Sequence, residues 1–174
     1  FDAGYVDKSW IKNCVAVGLS GSFVEPLEAS SIGTSIQQSI AIANLLNYYR
    51  KNDVTTEEIY NKEFTDVAKN IVDFVQLHYI TKRQDTDFWK SCNDLKLTDF
   101  NKNSLDFFKR CGPMPAYFTQ PWILFKDINW LIVMHGLDLL DIQQIDKVFM
   151  HQSEAITQQS TYNMQKLNDF HTNN

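Results

Sequence analysis

The sequence is poor in the residues from which most short catalytic and metal-binding signatures are built. It has three cysteines, Cys14, Cys92 and Cys111, and four histidines, His78, His135, His151 and His171. The cysteines are odd in number and unrelated in spacing, which fits reduced thiols in a cytoplasmic protein better than a disulfide framework. The histidines show no HExxH or other paired spacing, and CxxC is missing, so no metal motif is expected. A GxSxG elbow, a P-loop and a GxGxxG fingerprint are missing too. Positive charge is scarce. Against 21 Asp and Glu stand 16 Lys and Arg, and the net charge of −5 argues against a nucleic-acid surface. No run of about eighteen apolar residues occurs, so no transmembrane helix is expected. The first residues, FDAGYVDKSW, lack the apolar core of a signal peptide.

What is present describes a globular chain. Its 174 residues are enough for one domain with a real core, and 44% hydrophobic with 21% charged residues is an ordinary globular balance. One stretch concentrates chemistry. Cys14-Val15-Ala16-Val17 reads as a buried strand that breaks at Gly18-Leu19-Ser20-Gly21-Ser22, a turn where glycine allows backbone geometries other residues resist. Phe23-Val24 leads to Glu25-Pro26-Leu27-Glu28, with Pro26 holding Glu25 extended. A lone strand cannot satisfy its own edges, so its sheet is expected to lie in sequence not included here, making the chain the C-terminal part of something larger.

Helices are expected from there on. Ile32, Ile36, Ile40, Leu45 and Leu46 lie close to one face of a helix over about residues 30–50. Thr55-Thr56-Glu57-Glu58 reads as a capping box with Thr55 at the cap, opening a helix to about Thr81 that carries Ile59, Phe64, Val67, Ile71, Phe74, Val75 and His78 on its stripe. Asp85-Thr86-Asp87 caps a short helix with Phe88 and Trp89; Thr98 or Asp99 starts another, stopped by Gly112-Pro113. Met114 to Pro121 is a loop, Trp122 to His135 an apolar segment, and a long polar helix runs from Asp141 to about Phe170 with Ile142, Ile145, Val148, Phe149, Ile156, Tyr162, Met164 and Leu167. The fold class is mainly α with one or two strands in front. The expected division is residues 1–29 as strand and turn and residues 30–174 as a helical module.

Two readings stand for each candidate group. A carboxylate ahead of a helix, such as Glu28, sits well in the positive end of the dipole; the functional alternative is a general acid/base or electrostatic stabiliser held stiffly by the intervening proline. The amides at Ser30 and Ser31 are free N–H groups of a helix start, either an anion site or an ordinary cap. Tyr117, Phe118 and Trp122 either join the core or wall a flat aromatic pocket.

The run Trp10-x-x-Asn13-Cys14-Val15-Ala16-Val17-Gly18-Leu19-Ser20, followed by Phe23-Val24-Glu25-Pro26-Leu27-Glu28-Ala29-Ser30-Ser31-Ile32, resembles the flavin-dependent tryptophan halogenase family over some twenty positions. Weaker echoes are Asp85-Thr86-Asp87-Phe88-Trp89 and Trp130 to Leu137. The resemblance implies a parent enzyme that uses reduced FAD, oxygen and halide to make hypohalous acid, which halogenates an aromatic substrate such as tryptophan or another indole. It implies a separate flavin reductase as partner and neither nucleic acid nor membrane. Carried over by position, Glu28 matches the catalytic glutamate, and Ser30 and Ser31 match the positions whose amides hold halide. The family commonly has Thr-Gly there, so Ser31 replaces a glycine. Gly18, Leu19, Ser20 and Phe23 would pack beside the flavin; the aromatic loop with Tyr117, Phe118 and Trp122, read from its placement alone, permits an indole substrate without requiring one. The strand would be the last of an FAD-binding α/β sheet. The dinucleotide fingerprint, the catalytic lysine and the W-x-W-x-I-P signature would all lie upstream, so these 174 residues alone are expected neither to bind FAD tightly nor to halogenate. The alternatives are part of a flavin monooxygenase, or a non-enzymatic helical module in which EPLE is only a cap.

Overall fold

The computed structural model describes residues 3–50 and 54–172. Phe1 and the expected polar break at residues 51–53 lie outside the described residues, as do the side chains of Ile156, Met164 and Leu167. Four two-residue strands come first: β1 (Gly4–Tyr5), β2 (Trp10–Ile11), β3 (Cys14–Val15) and β4 (Ser22–Phe23). Six α-helices follow: α1 (Ser30–Leu46), α2 (Thr55–Leu77), α3 (Asp87–Cys92), α4 (Asp99–Cys111), α5 (Asp127–Gly136) and α6 (Ile142–Thr172). The mainly helical expectation holds. The strand at Cys14 is shorter than expected and pairs within the chain: β3 runs antiparallel to β2, with Trp10 opposite Val15, and β4 runs antiparallel to β1, with Gly4 opposite Phe23.

The molecule is built on α2. Its amphipathic stripe buries Tyr60, Phe64, Val67, Ala68, Ile71, Phe74, Val75 and Leu77, and α1, α4, α5 and the β2 segment pack around it. Each of two asparagines on α2 acts like a strand partner for a piece of loop. Asn61 accepts from the Trp10 amide at 2.7 Å and donates to the Trp10 carbonyl at 2.8 Å. Asn70 does the same for Phe125, at 3.0 and 2.9 Å. Such paired bonds satisfy backbone groups that have no ladder. Below them, Phe74 stacks on Phe125 at 4.1 Å, and Trp130, fully buried, meets Phe100, Phe108 and Phe118.

Several helix ends differ in detail from expectation. α2 begins at Thr55 with Val54 at the cap position, and it ends at Leu77 because His78 and Tyr79 already turn away. Thr86 and Thr98 do cap α3 and α4, accepting from the amides of Trp89 and Asn101. Gly112, at φ 74°, closes α4. The loop after it contains a 3₁₀ turn, Pro115–Tyr117.

α1 departs most. It buries Ser30, Thr34, Gln38 and Ala41, while Ile32, Ile36 and Ile40 are 73%, 57% and 50% exposed. The polar face is drawn inward by specific bonds. The buried Gln38 side chain accepts the Gly18 amide at 2.7 Å, and the Thr34 hydroxyl folds back onto the Ser30 carbonyl at 2.9 Å. The small Ser35 lets the turn come close: a Cβ on Gly18 would fall 2.5 Å from its Oγ.

Candidate functional site

Glu25-Pro26-Leu27-Glu28 forms a tight turn rather than a simple helix lead-in. Pro26 starts a 3₁₀ turn over Leu27–Ala29, closed by the Ala29 amide on the Pro26 carbonyl at 3.0 Å. Glu28 and Ala29 then both take left-handed backbone angles, φ 67° and 47°. Residues with a Cβ visit that region at a cost of about 1–2 kcal/mol each. The surroundings must hold the turn, and α1 starts immediately after it.

The end of α2 provides the hold. His78 Nε2 lies 3.0 Å from Glu28 Oε1, and its Nδ1 lies 2.9 Å from the Phe74 carbonyl. The next residue, Tyr79, donates its hydroxyl to Glu25 Oε1 at 2.7 Å. Burial, reinforced by the Glu25 carboxylate, pushes the Tyr79 phenol up to about 12, so it stays a donor at neutral pH. Two neighbouring side chains thus grip two carboxylates some fifty residues earlier. The Glu28 side chain remains 36% exposed, against 20% for His78, so the carboxylate has one face open.

Ser30 and Ser31 sit where the left-handed pair breaks into α1. The first amides of a helix lack intrahelical partners and favour anions. A cavity of about 10 Å³, lined by Gly18, Ser22, Val24, Ser30, Ser31 and Thr34 with Ile71, joins this helix start to the glycine turn. Its volume is that of one small ion or water. The residues expected at a flavin separate into two groups. Gly18 is buried, at φ 60°, with its amide committed to Gln38 and its free side filled by Ser35, so its missing Cβ serves the turn's packing on α1. Leu19, 59% exposed, and Ser20 face outward, and Phe23 is half-buried in β4.

The three aromatics expected at substrate are not assembled together. Tyr117 and Phe118 border a cavity of about 200 Å³ with Asp73, Phe100 and Gln120 among its walls. Phe118 is itself core, and Trp122 turns instead toward Phe64, 6.3 Å away. None of the EPLE residues lines that cavity. Reasoning from sequence missed the roles of His78 and Tyr79. His78 was placed on the helical stripe, and only the adjacent His-Tyr pair at the end of that stripe could have signalled them.

Comparison with known proteins bears on all of this. The profile of the family described as tryptophan halogenase matches residues 1–154. A tryptophan 6-halogenase, ThaL, from Streptomyces albogriseolus is 34% identical over 123 residues, covering 69% of this chain and 23% of its own length. The tryptophan 7-halogenase RebH from Lentzea aerocolonigenes is 31% identical over 110 residues, 63% of this chain and 21% of its own. Among solved structures, Tar14, a tryptophan C-6 flavin-dependent halogenase from taromycin biosynthesis, superposes with a TM-score of 0.72 at 28% identity, covering 80% of this chain and 28% of that one. Xcc4156, a flavin-dependent halogenase from Xanthomonas campestris, does so with a TM-score of 0.69 at 30% identity, over 78% and 27%. The chain spans about a quarter of the length of these relatives.

Proposed function

The chain belongs to the tryptophan halogenase family, and we propose that it is the C-terminal, substrate-side part of a flavin-dependent halogenase acting on an indole-like aromatic ring. The observation that carries this reading is the Glu25–Glu28 turn: two successive left-handed residues present one carboxylate directly ahead of a helix start. Such a geometry is costly for the fold and suits a group that must be placed accurately.

In this reading Glu28 is the catalytic carboxylate. Electrophilic halogenation leaves a cationic ring that must lose a proton; the open face of Glu28 stabilises that charge and accepts the proton at a carboxylate oxygen. Ser30 and Ser31 hold halide through their amides. The reduced flavin, with oxygen, supplies the oxidising equivalents that make the halogen electrophilic. Leu19 and Ser20 border its ring, while its phosphates are held by residues of the longer protein, which is supplied with reduced flavin by a separate reductase. The outward stripe of Ile32, Ile36 and Ile40 is the seam on which that flavin-binding part rests. The division at residue 29 follows: strands and turn belong with the flavin, helices with the substrate.

The test compares two proteins. The full-length protein, given reduced FAD, oxygen, halide and an indole, should yield product whose mass shows halogen in place of hydrogen. The 174-residue chain alone should show no bound-flavin absorbance and no product. Hydroxylated product from the full-length protein would instead make it a monooxygenase, and no turnover with any aromatic would favour a binding module.

A further inference from the structure

We propose that His78 is the positioning residue of Glu28, an inference that rests on the catalytic reading of Glu28. His78 Nδ1 lies 2.9 Å from the Phe74 carbonyl and Nε2 lies 3.0 Å from Glu28 Oε1, so one ring ties the end of α2 to the turn that carries the carboxylate. The ring is not free to turn out of this arrangement. Phe74 packs against it edge-on, with centroids 4.9 Å apart and planes at 89°. The carboxylate bonded to the ring is Glu28, and the hydroxyl of the next residue, Tyr79, is committed to Glu25.

The imidazole fixes Oε1 and so fixes where the second oxygen of Glu28 points, which matters because hydrogen-bond geometry decides whether a base reaches its proton.

In the full-length protein, His78→Phe should lower halogenated product per flavin oxidised by about tenfold or more, on the scale of a misplaced acid/base group. His78→Gln, whose amide can still donate to Glu28, should recover part of that loss. A His78→Phe enzyme with full product yield, in a protein that Glu28→Gln inactivates, would overturn the positioning role and leave the role of Glu28 standing. If Glu28→Gln itself keeps its yield, the catalytic reading fails and the positioning role with it.

Discussion

At the scale of single residues, the site is made by positions that break local rules. Gly18, Glu28 and Ala29 all occupy the left-handed region, and each does so for a different reason. Gly18 must lack a Cβ because Ser35 fills that space. Gly18→Ala should therefore cost about 1–3 kcal/mol, combining backbone strain with the clash. Ala29→Gly relieves about 1 kcal/mol of left-handed strain, offset in part by the extra freedom of glycine in the unfolded chain. Thermal melts should show Gly18→Ala well below wild type and Ala29→Gly at or above it. If Ala29→Gly instead falls as far as Gly18→Ala, the turn is not strained in the manner described. The motif that holds Glu28 was readable from sequence, because its proline and its paired glutamates are local. Its support was not readable, since His78 and Tyr79 reach back across fifty residues and lie on what looks like an ordinary core stripe.

At the scale of elements, α2 organises its neighbours through polar side chains that sequence periodicity does not reveal. Asn61 and Asn70 bind loop backbone, and Asp73 lies beside Thr98, the residue that caps α4. Burial pushes the Asp73 carboxyl up to about 6 from its ordinary 3.8, against the smaller opposing pulls of Thr98 and Lys69. The folded state therefore holds this proton more tightly than the unfolded state. The stability it confers is complete below about pH 4 and is lost as pH rises through about 6. Asp73→Asn, which keeps an acceptor for Thr98, should accordingly be more stable than wild type at pH 7, by on the order of 2 kcal/mol. The gap should close as the pH falls from 6 toward 4. Urea midpoints measured for both proteins across that range check it, and a gap that does not vary with pH would contradict it. α1 shows the opposite failure of pattern. Its isoleucine stripe was legible as an apolar face, yet that face points outward, because Gln38 is recruited inward to bind the glycine turn, and Thr34, on the same side, is buried with its hydroxyl bonded back to Ser30. Periodicity finds an apolar face; it does not say which partner covers it.

At the scale of the whole molecule, a helical body holds one strained turn against the end of its central helix. The order of helices and most of their caps could be read from the sequence, since Thr86, Thr98 and Gly112 are local signals. The pairing of the short strands could not, because two residues per strand leave no alternation to detect. The aromatic substrate wall was only partly legible: Tyr117 and Phe118 share a cavity, but burial of Trp122 against Phe64 follows from packing that no spacing encodes. Among the described residues no helix is long and apolar enough to cross a membrane. On the proposed reading Glu28 acts on the aromatic substrate and not on the flavin, which is tested by measuring, in the full-length protein, halogenated product and flavin oxidation together for wild type and Glu28→Gln. Product should fall by about a hundredfold or more, as for loss of an acid/base group, while flavin oxidation continues at the wild-type rate. Product and flavin oxidation that both persist, or that fall together, would contradict it.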